Sequence, residues 1–215
     1  MTATWPWLAV AAMGAYHGLN PAMGWLFAVS LGLQERSRKK VLGAMIPIAA
    51  GHLVSIALVV ALIGWGALEI SPHLLQLIGG SAVAAFGAFR LFSSRLHYRW
   101  VGMRVNSRDL VVWSFLMASA HGAGLMLFPV LINLPLCTTL PSAAAPSAGP
   151  TASAMIETGL WVVLLHTTAM LAVMAPLAIA VYDWIGLGIL RKAWINVDKL
   201  WAATLMGSGL LVLVV

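Results

Sequence analysis

Six long apolar stretches dominate this sequence and leave little between them. They cover residues 5–33, 41–67, 73–92, 110–136, 156–182 and 196–215. A helix needs about 20 apolar residues to cross a hydrocarbon core of roughly 30 Å, because every backbone polar group must be bonded within the segment. Only 8% of the residues are charged, against about 25% in soluble domains. The sequence therefore predicts an all-α polytopic membrane protein with six transmembrane helices in a lipid bilayer.

The basic residues predict how these helices are oriented. All twelve lysines and arginines lie beside the first, third and fifth connections, and none lies beside the second or fourth. The positive-inside rule places those three connections in the cytoplasm and both termini outside the plasma (bacterial inner) membrane. Residues 93–109 are then a cytoplasmic basic connection, and residues 137–155 are an outer loop. Topology accounts for the formal net charge of +6, so we expect no nucleic-acid partner.

A short internal repeat relates the two halves of the chain, 1–92 and 110–215. The segments Met13–Gly18 and Met117–Gly122 both read M-x-x-x-H-G, and the next stretch of each half contains one further histidine. Since each half has three spans, the second half must enter the membrane from the opposite face. The prediction is two inverted three-helix repeats, a plan that many secondary transporters share, with a substrate site near the midplane.

Residues at the repeated segments predict broken helices. Pro21 removes a backbone donor and disfavours helix at Asn20, and Gly18 adds flexibility. Carbonyls released there would face a cavity, so we assign Asn20 and Pro21 to the substrate site. In the second half Gly122, Gly124 and Pro129 form a looser version of this break.

The ionisable side chains deepest in the predicted spans are all histidines: His17, His52, His121 and His166. Such groups are costly in a bilayer and are functional candidates. Imidazole binds late first-row metals, and thioether sulfur adds affinity for soft ions. Methionines lie four residues from three of these histidines, on the same helix face: Met13, Met117 and Met170. We predict a transition-metal site made by these seven residues, suited to Ni²⁺, Co²⁺, Zn²⁺ or Cu⁺ and unsuited to Mg²⁺ or Ca²⁺.

Small polar residues near the histidines are candidates to orient the imidazoles by hydrogen bonds. They are Ser55, Ser119, Thr167, Thr168 and Asn20.

The favoured function is a secondary transporter or exporter, with the metal ion as substrate and no certain cofactor. Two other functions fit the same histidines. They could carry protons for an exporter of a small organic or sulfur-containing anion, or a pair of them could ligate haem in a membrane electron carrier. The G-x-S-x-G and H-E-x-x-H motifs are missing from the sequence, so we do not expect an enzyme. A scaffolding subunit and a homo-oligomer are also compatible with it.

The His-Gly and Asn-Pro pairs of the first span and Gly51-His52-x-x-Ser55 of the second resemble the lysine-exporter superfamily. The nearest branches are its nickel/cobalt transporter, urease-accessory-like and sulfite-exporter-like membrane proteins. This resemblance implies two three-helix halves and a metal role for His17 and His52. The nickel/cobalt pattern also has an Asp-His pair where this sequence has Ala22 and Met23, which leaves the metal open.

Overall fold

The computed structural model describes residues 4–92, 106–134, 152–185 and 197–214. This part of the chain is helical and contains no strand. Its α-helices are α1 (Trp5–Leu19), α2 (Trp25–Gln34), α3 (Arg38–Glu69), α4 (Pro72–Phe92), α5 (Ser107–Ala120), α6 (Phe128–Leu131), α7 (Ala152–Ala180) and α8 (Val197–Val214). Two 3₁₀ turns, Pro21–Met23 and Leu125–Leu127, lie between helices, and a π-helical turn at Val181–Ile185 extends α7.

Three of these helices are long and apolar enough to cross a membrane: α3, α4 and α7 with its extension, counted as Ser153–Trp184. Helices α5 and α6 pass the same test as one span bent by 45°. Large side chains on these helices are strongly exposed, such as Ile46 at 74% and Ile156 at 66%. A surface of this kind is unfavourable in water and suits a lipid environment. The chain is an all-helical membrane protein, which confirms the predicted class.

The predicted break in the first apolar stretch is confirmed. Helix α1 ends at Leu19, and Asn20 takes an extended conformation with its side-chain Oδ1 accepting a hydrogen bond from the Ala22 backbone N–H at 3.0 Å. Gly24 then turns the chain with φ of 113°, a value that favours glycine, and α2 begins at Trp25. The first stretch is therefore two short helices joined by a tight turn.

The second predicted break is also present. Helix α5 ends at Ala120, and Gly122 has φ of 69°. The Ala123 N–H donates to the Ala118 carbonyl at 2.9 Å, and the Gly122 N–H donates to the Ser119 carbonyl at 3.1 Å. These bonds satisfy carbonyls at the helix end, as a glycine-terminated helix requires.

Prolines inside α3 and α7 do not interrupt those helices. Pro47 and Pro176 each lie within one continuous helix. Proline is tolerated in membrane helices when surrounding groups satisfy the released carbonyl. Pro21 differs because an Asn cap precedes it and a glycine turn follows it, so three neighbouring residues favour a break together.

The helices pack in three principal pairs, α1 with α7, α3 with α5, and α4 with α8, and α3 also packs on α7. Glycines allow the backbones to approach. A Cβ atom on Gly14 would meet the His166 carbonyl, and one on Gly51 would meet the Val111 carbonyl. Close backbone packing over small residues is the usual mode of helix association in membranes.

Most of the predicted connections fall outside the described residues. Of the segment 93–109, predicted to be cytoplasmic, only residues 106–109 are described, and the predicted outer loop 137–155 is described only from residue 152. Asn106 begins α5 with a capping box, in which its Oδ1 accepts the Asp109 N–H and the Asp109 carboxylate accepts the Asn106 N–H.

Candidate metal site

Three histidines from three helices meet in the interior. His17 of α1, His52 of α3 and His166 of α7 each have 0% relative exposure. Their ring centroids are separated by 5.3 Å for His17 and His52, 4.8 Å for His17 and His166, and 5.6 Å for His52 and His166. The last two rings are nearly parallel, at 12°, and the His17 ring stands edge-on to both. Three of the four sequence-predicted histidines therefore form a compact cluster of imidazoles.

The packing of α1 on α7 places His17 beside His166. Gly14 lies against the His166 carbonyl, and a Cβ on Gly18 would meet the Met170 carbonyl one turn further along α7. These two glycines face α7 together with His17, because residues three and four apart share a helix face. The first M-x-x-x-H-G segment thus supplies one imidazole of the cluster and the glycine surface that brings this imidazole close to His166.

A backbone hydrogen bond fixes the His17 ring. Its Nδ1 donates to the Met13 carbonyl at 2.9 Å. A neutral imidazole that donates through Nδ1 carries its lone pair on Nε2. Metal-binding histidines usually hold their second nitrogen in such a bond, which orients the ring and raises its basicity.

The His52 and His166 rings lack hydrogen bonds of good geometry. Both ring nitrogens of each are buried without a partner among the described residues. The Val10 carbonyl approaches the His166 ring but does not meet hydrogen-bond geometry. A buried polar atom left without a partner costs about 1–3 kcal/mol. A cation that accepted an electron pair from one nitrogen of each ring would remove part of this cost, since a neutral imidazole offers a lone pair on only one of its two nitrogens.

The spacing of the cluster is close to that of a metal site. One nitrogen from each of His17, His52 and His166 can be chosen so that all three lie within 4.8 Å of one another. With metal–nitrogen bonds of about 2.0–2.1 Å in a tetrahedral arrangement, neighbouring nitrogens lie about 3.4 Å apart. Side-chain rotations that bring these nitrogens up to about 1.4 Å closer would complete the site.

His121 stands apart from this group. It is 1% exposed and lies within electrostatic range of His17, but it is not one of the three clustered ligands. Its Nδ1 donates to the Met117 carbonyl at 2.9 Å, the same bond that His17 makes with Met13. The local geometry of the repeat is therefore reproduced in the second half, while the ring takes another position relative to the cluster.

The three predicted methionine ligands occupy different surroundings. Met170 is fully buried in an apolar cluster with Met174, Trp25 and other side chains, which is a packing environment. Met13 is half-buried against a second apolar cluster, and Met117 is half-buried. Sulfur ligation by these residues stays a prediction.

Asn20 and Pro21 form the turn that follows His17. Asn20 is 3% exposed, and its Nδ2 is buried without a hydrogen-bond partner among the described residues. The Asn20 backbone N–H donates to the His17 carbonyl at 3.1 Å. This bond connects the turn directly to His17. A substrate role for Asn20 and Pro21 stays a prediction.

Three of the small polar residues proposed to orient the imidazoles, Ser55, Ser119 and Thr168, bond to other groups in the described part of the chain. The Ser55 and Ser119 hydroxyls bond to each other at 2.9 Å, linking α3 to α5. Thr168 donates to the Leu164 and Leu165 carbonyls of its own helix. Thr167 Oγ1 is buried and has no hydrogen-bond partner among the residues that the structure describes. The His17 ring is instead oriented by a backbone carbonyl, which side-chain patterns do not reveal.

Two polar contacts were not predicted, one near the site and one at the ends of the helices that carry it. Ser114 of α5 donates to the Ile48 carbonyl of α3 at 2.7 Å, one turn from His52. Arg38 Nε donates to Asp183 Oδ1 at 2.8 Å, joining one end of α3 to the end of the extended α7. A serine among apolar residues of α5 could have signalled the first contact. The second joins residues 145 positions apart, and no local pattern relates them.

Comparison of the chain with protein-family models, with curated proteins and with solved structures found no match.

Proposed function

We propose that this protein is a membrane transporter whose substrate is a transition-metal cation, bound between its two halves by His17, His52 and His166. The observation that carries the proposal is the convergence of three fully buried imidazoles from three helices. Among the described residues, the ring nitrogens of His52 and His166 have no hydrogen-bond partner. Ionisable groups placed at such depth are expensive and mark substrate pathways. Imidazole is a common ligand for these metals.

The packing pattern supports six spans arranged as two inverted repeats. If α1 corresponds to α5, α3 to α7, and α4 to α8, a pseudo-twofold axis exchanges the α1–α7 pair with the α5–α3 pair. Both of these pairs are extensive, and the α3–α7 and α4–α8 pairs would each lie on the axis. The near-parallel rings of His52 and His166, equivalent residues of the two halves, fit a position across that axis.

The ion pair between Arg38 and Asp183 supports the proposed orientation. It requires the start of α3 and the end of the extended α7 to lie on the same side of the membrane. The basic residues Arg36, Lys39 and Lys40 lie at that same end of α3. The positive-inside rule makes this side cytoplasmic, in the plasma membrane of a bacterial-type cell.

The ring geometry favours an ion over haem. Two haem-ligating histidines must lie on opposite faces of a large planar macrocycle. Here His17 contacts both His52 and His166, with centroids 4.8–5.3 Å away, and this leaves no slot for a macrocycle between those two rings. A small ion needs no such slot.

Metal binding is the first test. Purified full-length protein should bind one metal ion per chain, measured by titration with Co²⁺, Zn²⁺ and Cu⁺ and by element analysis after gel filtration. His17→Ala, His52→Ala and His166→Ala should each abolish this binding. His73→Ala is the matched control, because His73 is exposed at the start of α4 and should not contribute.

Transport is the second test. Proteoliposomes containing the wild-type protein and a trapped metal-sensitive dye should show metal flux, and the three cluster variants should lose it. Wild-type protein that is folded and binds no metal would refute the proposal. Flux of protons or of a small anion in such metal-free protein would favour the proton-coupled exporter.

A further inference from the structure

We propose that the cluster selects a soft monovalent cation, Cu⁺ or Ag⁺, over divalent ions. This inference rests on the proposed function and specifies its substrate class. It follows from the charge of the site: three imidazoles supply electron pairs and no negative charge.

Five acidic residues lie at or near the ends of described helices, whereas the clustered histidines lie within theirs. Glu35, Glu69, Asp109, Glu157 and Asp183 are all exposed and lie at or near helix ends. No carboxylate among the described residues joins the group of potential ligands. A cation held by this cluster therefore keeps its full charge in a region of low dielectric constant.

The cost of that charge depends steeply on valence. The free energy of moving an ion from water to a low-dielectric medium grows with the square of its charge, so a divalent ion costs about four times as much as a monovalent ion of similar size. Sites for divalent ions in proteins commonly include carboxylates or thiolates that offset part of the charge. A cluster of neutral ligands favours the ion with the lower desolvation cost.

The number of ligands in the cluster, three, also favours a monovalent ion. Cu⁺ and Ag⁺ have filled d shells and accept low coordination numbers, whereas Zn²⁺ held by three histidines completes its shell with water or hydroxide. The three rings are fully buried, with 0% exposure, so the fourth position is closed to bulk water in this conformation. A three-coordinate monovalent ion is satisfied by the side chains that are present.

The test compares ions and ligand types on the full-length protein in detergent. Ag⁺ is titrated directly, Cu⁺ is titrated under reducing conditions against the chromogenic chelator bicinchoninate, and Zn²⁺ and Co²⁺ are titrated separately. We expect the monovalent ions to bind at least about 100-fold tighter than Co²⁺, a difference of about 2.7 kcal/mol.

The variant His52→Met makes the test specific for a soft ion. Methionine is similar in size to histidine, and its thioether ligates Cu⁺ and Ag⁺ far better than it ligates Zn²⁺ or Co²⁺. We expect His52→Met to retain Ag⁺ and Cu⁺ within about tenfold, an effect of about 1.4 kcal/mol, while His52→Ala loses them. His166→Met is a second such variant if the first is misfolded, and His73→Met controls for added surface sulfur.

The outcomes separate the two proposals. Divalent binding as tight as Ag⁺ binding, abolished by His52→Ala, would overturn the valence preference and leave the metal site standing. Ag⁺ binding that survives alanine at all three cluster histidines would place the ion on methionine sulfur elsewhere and overturn the inference. Wild-type protein that binds neither class of ion would remove the proposed function as well.

Discussion

The two apolar stretches that a turn breaks, 5–33 and 110–136, share a Met–His pair four residues apart, but the two histidines have different neighbours. In both, a histidine ring donates from Nδ1 to the carbonyl of the methionine four residues earlier, at 2.9 Å, and a glycine of positive φ follows within the turn. His17 then enters a cluster with two other imidazoles, whereas His121 lies outside it. The local sequence determines the ring's hydrogen bond, and the partner helix determines its neighbours.

The residue after the methionine explains part of this difference. It is Gly14 in the first segment and Ala118 in the second. Gly14 lets α1 lie directly on the α7 backbone at His166. Helix α5, which carries Ala118, instead packs closely on α3 through a glycine of α3, since Gly51 lies against the Val111 carbonyl of α5. The close approach is thus made by a glycine of α1 in the α1–α7 pair and by a glycine of α3 in the α3–α5 pair.

Alanine substitution of the two repeated histidines should give the largest difference. His17→Ala should lower metal affinity more than about 100-fold because a direct ligand is lost, beyond the 10–100-fold that an outer-sphere partner costs. His121→Ala should lower it by no more than about tenfold. Isothermal titration of both variants measures this. Equal losses at the two positions would show a symmetric four-histidine site and contradict the difference described here.

A substitution that blocks the close contact between α1 and α7 should have the next largest effect on stability and metal binding. A Cβ on Gly14 meets a backbone carbonyl, which cannot rotate away, so Gly14→Ala should destabilise the protein by about 1–3 kcal/mol and weaken metal binding by displacing His17. Thermal unfolding in detergent, with and without metal, measures both. Gly43→Ala is the control, because a Cβ there meets nothing within 4 Å. Equal stability of the two variants would refute the close packing.

The smallest expected effect concerns the α3–α5 pair. The Ser55–Ser119 bond should contribute about 0.6 kcal/mol, the average of hydrogen bonds measured between membrane helices. A double-mutant cycle with Ser55→Ala and Ser119→Ala measures it as a coupling in unfolding free energy. Metal affinity should stay unchanged, since neither hydroxyl contacts an imidazole by a hydrogen bond in the described part. A change in affinity would assign these serines to the site.

The sequence predicted the helical segments well because apolar length is a local property. The stretches 41–67 and 73–92 correspond to α3 and α4, and the turn at Asn20 and Pro21 was readable from proline and its neighbours. The same proline rule would have broken α3 at Pro47 and α7 at Pro176, where both helices continue. Proline alone does not decide the outcome in a membrane.

The site was predictable in composition and not in arrangement. Depth in an apolar stretch singled out His17, His52, His121 and His166, and all four are buried. Which three of them meet depends on the packing of α1 against α7 and of α3 against α7, which connects residues far apart in sequence. Met170 shares a face with His166 by its spacing, yet it is fully buried in an apolar cluster. The spacing of two residues along a helix predicts that they share a face of that helix, but it does not predict which side chains that face contacts.

The Arg38–Asp183 contact ties together, at one membrane surface, the same two helices that hold His52 and His166 inside. Exposed ion pairs of this kind are worth about 0.2–1 kcal/mol, and Arg38 is 67% exposed in its side chain. Loss of this ion pair would therefore change the equilibrium between packed and separated ends of α3 and α7 by at most about fivefold. The ion pair therefore adds little to the packing of α3 on α7 at that end, and its contribution should fall as the salt concentration rises.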